Sequence, residues 1–292
     1  YTTLFRSCGW NKFGELGDAG YNLFQNKFII TKNRVKGYIL KIPFEIKVPS
    51  NECNCNKIKI SNIASGQNHT IFVTKCESTC SKRNKDTIWS LGRNSYGQLM
   101  ANNNIIKQTH TAIKIDKEIF NGFNEPIDNW EVSNISCTWS NTYVLFKPLN
   151  SEQKNILFGV GRYHRGLLSS PLNIDLKDNQ AIFKPIPINF NSMGECLDIK
   201  SGSEHFISIV KSKENILSIV SCGWNEHGNC GIGPCKFDKN NNELKDVKLP
   251  SKMIYCKILN DNLFKHFSMD FKLNDVNKIQ IFCGAGHSGI IY

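Results

Sequence analysis

Two short motifs alternate along the chain, four copies of each, and this repetition restricts the fold to an array of similar units. The first motif opens at Gly9-Trp10-Asn11-Lys12-Phe13-Gly14-Glu15-Leu16-Gly17 and returns at Gly92-Arg93-Asn94-Ser95-Tyr96-Gly97-Gln98-Leu99. Its third copy, from Gly161 to Leu168, has Tyr163 in place of Asn, and its fourth, Gly223-Trp224-Asn225-Glu226-His227-Gly228-Asn229-Cys230-Gly231, has Cys in place of Leu. The second motif reads Ser65-Gly66-Gln67-Asn68-His69, then Ser201-Gly202-Ser203-Glu204-His205 and Cys283-Gly284-Ala285-Gly286-His287. One copy, Cys137-Thr138-Trp139-Ser140-Asn141, lacks both the Gly and the His.

Each motif has a legible physical meaning. A short apolar run enters the first motif, whose leading glycine can take a positive φ or admit a close backbone. Asn at the third position hydrogen-bonds its own local backbone, and the later Leu anchors the turn in a core. In the second motif β-branched and aromatic residues follow the His, as buried strands require, and the His is expected to bond a neighbouring strand or turn. Helical periodicity is weak throughout, so the predicted class is all-β. The connections 17–57, 100–128, 169–194 and 232–277 are polar and Asn/Lys-rich and read as surface loops. Apolar pieces within them, Phe28–Ile30 and Ile182–Ile188, are candidates for outer strands.

No run of about 18 apolar residues exists, so no transmembrane helix is expected. The opening Tyr1-Thr2-Thr3-Leu4-Phe5 has neither an initiator Met nor a signal peptide, and implies a chain that begins inside a longer protein. Twelve cysteines without a secretory signal point to reduced thiols and a cytoplasmic, or also nuclear, setting. The net charge is +11, and residues 27–59 carry eight cations against two carboxylates, an excess of six. That stretch reads as a solvated lysine-rich loop, with contact to phosphates as the alternative.

Gly-x-Asn-x-x-Gly-x-Leu-Gly alternating with Ser-Gly-x-x-His resembles the regulator-of-chromosome-condensation repeat. The resemblance implies a single β-propeller domain over residues 1–292, of a type with seven blades. Residues 200–290 look closest to the secretion-regulating exchange-factor-like branch and its fungal relative, on the Glu226-His227-Gly228-Asn229-Cys230-Gly231 string and on Cys283-Gly284-Ala285-Gly286-His287-Ser288. That branch implies a small CSL-type zinc protein as partner, in diphthamide synthesis and tRNA modification. The wider family implies guanine-nucleotide exchange on a small Ras-like GTPase as an alternative, and chromatin or nucleic-acid binding as a third. The leading glycines of the four copies lie 83, 69 and 62 residues apart, too far for seven blades in 292 residues unless some have degenerated in the connections. A closed propeller with degenerate blades is the expectation.

The repeat residues Gly9, Asn11, Gly14, Gly92, Asn94, Gly97, Gly223, Asn225, Gly228, His69, His205 and His287 are read as structural, since repeat equivalence puts each His in a different unit. Cys53, Cys55, Cys76 and Cys80 match the ligand count of a structural zinc site, but with irregular spacing, and no metal is assigned. No phosphate-binding loop, nucleophile elbow or His-Glu-x-x-His occurs, so neither enzyme activity nor a cofactor is expected. Trp10, Trp139, Trp224, Glu226 and His227 are the candidate partner-binding residues, because aromatics at turns make natural hot spots. The competing reading is packing within a unit.

Overall fold

The computed structural model describes residues 6–10, 12–16, 39–45, 58–76, 86–101, 105–150, 153–169, 177, 179–190, 193–232, 246–252, 254–260, 263–268 and 270–292. Asn11, Cys53, Cys55 and Cys80 lie outside them, as do Phe28–Ile30 and most of the basic stretch. Cys76 and Trp10 each end a strand whose backbone alone is described there.

Three four-stranded antiparallel sheets dominate the fold. The first holds β3 (Ile58–Ser65), β4 (His69–Cys76), β5 (Thr87–Arg93) and β6 (Gln108–Ile115) in sequence order. The second holds β7 (Trp130–Cys137), β8 (Asn141–Pro148), β9 (Ile156–Tyr163) and β10 (Gln180–Pro187), and the third β11 (Glu195–Ser201), β12 (His205–Lys211), β13 (Ile216–Trp224) and β14 (Asp246–Lys252). Two-stranded sheets flank them: β1 (Arg6–Trp10) with β2 (Ile39–Glu45), and β18 (Gln280–Cys283) with β19 (Ser288–Ile291). The hairpin β15 (Ile254–Asn260) and β16 (Leu263–Ser268) follows β14, and β17 (Asp270–Lys272) pairs with the start of β13.

The second motif is therefore the hairpin joining the first two strands of a blade, and the first motif is the turn leaving its third strand. Two motifs supply three strands, so the connection must supply the fourth. This corrects the reading of the long connections as plain loops: β2, β6, β10 and β14 arise from them, and Ile182–Ile188 falls largely in β10. Each complete blade occupies 58 residues from first strand to last, and among the described residues β1–β2 and β18–β19 are not paired with one another.

The second strand of each blade is buried on both faces, and its side chains alternate between neighbouring blades. From β8, Val144 and Phe146 enter the core shared with the first blade, where Phe120, Trp130 and Phe158 surround them. Tyr143 and Leu145 point the other way, to Leu168, Phe206 and Val220 of the core shared with the third blade. From β12, Ile207 and Ile209 pack onto Ile279 and Ile281 beside the last hairpin.

Polar contacts register one blade on the next. Thr142 Oγ1 donates to the Gln98 carbonyl at 2.7 Å and lies 3.0 Å from His69 Nε2, so the hydroxyl accepts from an Nε2-protonated ring. Thr70 repeats the first half, donating to the Glu15 carbonyl at 2.9 Å, and His205 Nε2 lies 2.9 Å from Ser288 Oγ. The one blade with Asn141 in place of His faces the one blade with Phe206 in place of the hydroxyl. There Tyr143 donates to the Leu167 carbonyl at 2.7 Å, covering the acceptor that Phe206 leaves. The missing glycine belongs to the same set. A Cβ on Gly66 would stand 2.5 Å from His69 Nδ1, whereas Thr138 fits because Asn141 is smaller, and its hydroxyl bonds Asn141 Oδ1 at 3.0 Å.

Thr142→Val strands the buried His69 N–H and the Gln98 carbonyl together, and is expected to cost about 3 kcal/mol in denaturant unfolding. The double-mutant cycle with His69→Asn should return a coupling of about 1 kcal/mol or more, and additivity would show that the inter-blade bond contributes nothing.

Candidate functional site

The hairpins of the second motif and the turns of the first end on the same side of the blades, because the first and third strands of each blade run in the same direction. That side carries the candidates Trp139, Trp224, Glu226 and His227.

The turn is built by its Asn. Asn94 Oδ1 accepts from the Leu99 amide at 3.0 Å, while its Nδ2 donates to the carbonyls of Ala101 and Ile106. Asn225 Oδ1 accepts from the Cys230 amide at 2.9 Å in the same way. Glu15 and Gln98, at one repeat position, each accept from the amide two residues before them. Burial raises the pKa of the Glu15 carboxyl, against the pull of those backbone amides.

The hairpin loops are joined blade to blade by backbone. Gln67 N donates to the Trp139 carbonyl, Trp139 N to that of Ser203, and Ser203 N to that of Ala285, at 3.3, 2.8 and 3.1 Å. The four loops border an open pocket of about 250 Å3 lined by Ser65, Cys137, Ser201 and Cys283 from equivalent strand ends. Trp139 stands at its mouth and is 46% exposed.

Outside this belt runs a ladder that the sequence reading did not anticipate. The guanidinium of Arg93 lies 5.0 Å from the Phe13 ring centre, and that of Arg162 lies 5.4 Å from the Tyr96 ring. One blade further on the roles reverse, with Arg165 lying 5.8 Å from the Trp224 ring. In every case the second residue of one turn stacks on the fifth residue of the turn before it. The signal was present in the sequence: Trp10/Phe13, Arg93/Tyr96, Arg162/Arg165 and Trp224/His227 fill those two positions. Each cation–π pair stabilises by about 0.5–1 kcal/mol at such exposure.

Of the predicted binding residues, Trp224, Glu226 and His227 come together. Trp224 Nε1 donates to Glu226 Oε2 at 3.1 Å, and its ring meets His227 edge-on at 4.9 Å. Trp224 is half-buried by Arg165 and its neighbours, while Glu226 and His227 are exposed. Trp139 is separate, at the pocket, and the Trp10 side chain lies outside the described residues. Glu204, which sequence alone left without a role, is bracketed by Arg165 at 3.1 Å and Arg162 at 3.9 Å.

His69 and His205 are buried, and desolvation lowers both to about 4, so they stand as neutral packing groups. Cys137 is pushed up to about 12 and Cys283 to about 11 by burial, which makes them inert as nucleophiles. Among the described residues no group of His, Cys, Asp or Glu could hold a metal ion.

Against solved structures the chain superposes on human WBSCR16 with a TM-score of 0.57 at 17% identity, over 96% of this chain and 56% of that one. The fold is an all-β propeller. Prp20p from Saccharomyces cerevisiae, described with its binding properties to Gsp1p and histones, gives a TM-score of 0.48 at 19% identity, covering 99% of this chain and 64% of Prp20p. The chain thus spans a little over half the length of WBSCR16 and under two thirds of Prp20p. No family model matches the sequence, and no curated protein matches it.

Proposed function

We propose that this propeller segment is a non-enzymatic interaction module that offers the hairpin-and-turn face to a protein partner, with Trp139 as anchor. The supporting observation is the exposure of that indole beside an open pocket of about 250 Å3 whose four loops are tied together by backbone bonds. A rigid aromatic on a preorganised rim loses little entropy on binding. Trp224, Glu226 and His227 form a second contact cluster on the same face.

The partner favoured by the branch-level sequence resemblance is a small CSL-type zinc protein serving diphthamide synthesis and tRNA modification. Guanine-nucleotide exchange on a small Ras-like GTPase is the second reading and rests on the repeat motifs. Titration of a purified CSL-type protein against wild type and Trp139→Ala should show at least ten-fold weaker binding by the variant. Equal affinity would remove Trp139 as the anchor, and no binding at all would remove the CSL reading. Acceleration of nucleotide release from a purified GTPase at micromolar protein would establish the second reading instead.

A further inference from the structure

The opposite side of the blades carries a larger cleft, of about 500 Å3, between the second and third complete blades. Its walls are the connections leaving the second strands: Asn150 and residues 153–155 after β8, and residues 212–215 after β12, with Glu195 of β11 at the base. Four ammonium groups border it, from Lys147, Lys154, Lys211 and Lys213.

Both walls are held in place. Leu149 N donates to the Asn129 carbonyl at 2.8 Å, and Asn155 Nδ2 to the Cys196 carbonyl at 2.9 Å. On the other wall, Ser212 Oγ accepts from the amides of Glu214 and Ile216, and Asn215 N donates to the Ser212 carbonyl.

The carboxylates nearby are already engaged. Glu195 takes Lys211 on Oε2 at 3.0 Å and the Asn155 amide on Oε1 at 3.0 Å. Glu131 takes Lys147 at 2.7 Å and Lys75, from the preceding blade, at 3.2 Å. Its carboxyl, although partly desolvated, is held below its ordinary value by those two lysines. Lys154 and Lys213 are exposed and form no salt bridge among the described residues. Glu214, next to Lys213, is fully exposed, and its carboxyl is lowered chiefly by the Ser212 hydroxyl.

We infer that this cleft binds a clustered-phosphate anion, with Lys154 and Lys213 as its principal charge contacts. Lysine ammoniums, as compact point charges with no guanidinium fork among them, suit phosphate oxygens approached from several directions. The volume falls in the small-ligand range, which favours an oligophosphate or phosphorylated headgroup over a nucleic-acid duplex. The site is independent of the face proposed for the protein partner.

The test is calorimetric titration of the whole chain with inorganic tripolyphosphate at low ionic strength, with Lys154→Glu/Lys213→Glu beside it. Lys184→Glu/Lys272→Glu, two exposed positions outside the cleft, matches the change in net charge. Saturable binding that falls at least ten-fold in the cleft variant and less than two-fold in the control is expected. An equal fall in both, which would mean attraction to overall charge alone, overturns the inference. So does the absence of saturable binding to both tripolyphosphate and phosphatidylcholine vesicles containing a phosphorylated inositol lipid. Vesicle retention lost in the cleft variant would assign the phosphates to a lipid headgroup, and tripolyphosphate binding without retention to a soluble anion.

Discussion

Gly92→Ala should destabilise the protein by about 4 kcal/mol, while Gly228→Ala, at the later glycine of the same motif two copies on, should cost only about 1 kcal/mol. Both residues have positive φ, at +106° and +73°. They differ in what a side chain would meet. A Cβ on Gly92 would overlap the Asn68 carbonyl oxygen and stand 2.7 Å from His69 Cα, backbone atoms that cannot turn aside. Gly92 pairs with His69 across the ladder, so relief requires the second and third strands to part where His69 reaches the next blade. A Cβ on Gly228 would meet nothing within 4 Å, leaving only the conformational penalty. Denaturant midpoints at constant m-value decide the matter, and equal losses would mean that close approach plays no part at Gly92.

Acidification from pH 7 to 5 should remove about 2 kcal/mol of stability for each of His69 and His205, or about 4 kcal/mol together. Burial lowers both rings to about 4 in the folded chain, against the ordinary value of 6.5 that the unfolded chain restores. Between those values the unfolded state binds more protons, so stability falls as pH falls. The contribution is complete above pH 6.5, declines through the window, and is exhausted near pH 4. Protonation would also place a charge where each ring meets a hydroxyl of the next blade. Stopping at pH 5 keeps ordinary carboxylates ionised. Urea unfolding of wild type and of His69→Asn/His205→Asn at the two pH values separates the cause. The variant should lose less than half as much on acidification, and an unchanged loss would assign the effect elsewhere.

Much of this could be read from the chain because repetition exposes constraint. The leading glycine, the turn Asn and the hairpin His recur because each meets the same neighbours in every blade, and recurrence marks them as folding residues. The departures were equally visible but could not be interpreted singly. Thr138, Asn141 and Phe206 look like three lapses from a pattern. They are one accommodation spread over two blades, since a smaller Asn admits a Thr methyl and asks for no hydroxyl opposite it. The cation–π ladder escaped notice for a related reason. Its members are unlike one another in type, and only the offset between adjacent turns brings Arg93 over Phe13 and Arg162 over Tyr96.

The sequence by itself determined the all-β class, the unit of repetition and the turn chemistry, because these depend on residues within about ten positions of one another. Tertiary structure decided the rest. The fourth strand of each blade carries no motif, since an outer strand needs only compatible hydrogen bonding and loose cover, so β6 and β10 came to light through their pairing with β5 and β9. Glu204 gained its role from two arginines some forty residues upstream, and Trp139 its place from three loops that border an open pocket beside it. The lysine cleft brings together two connections nearly sixty residues apart, a proximity set by blade packing and not by any local pattern.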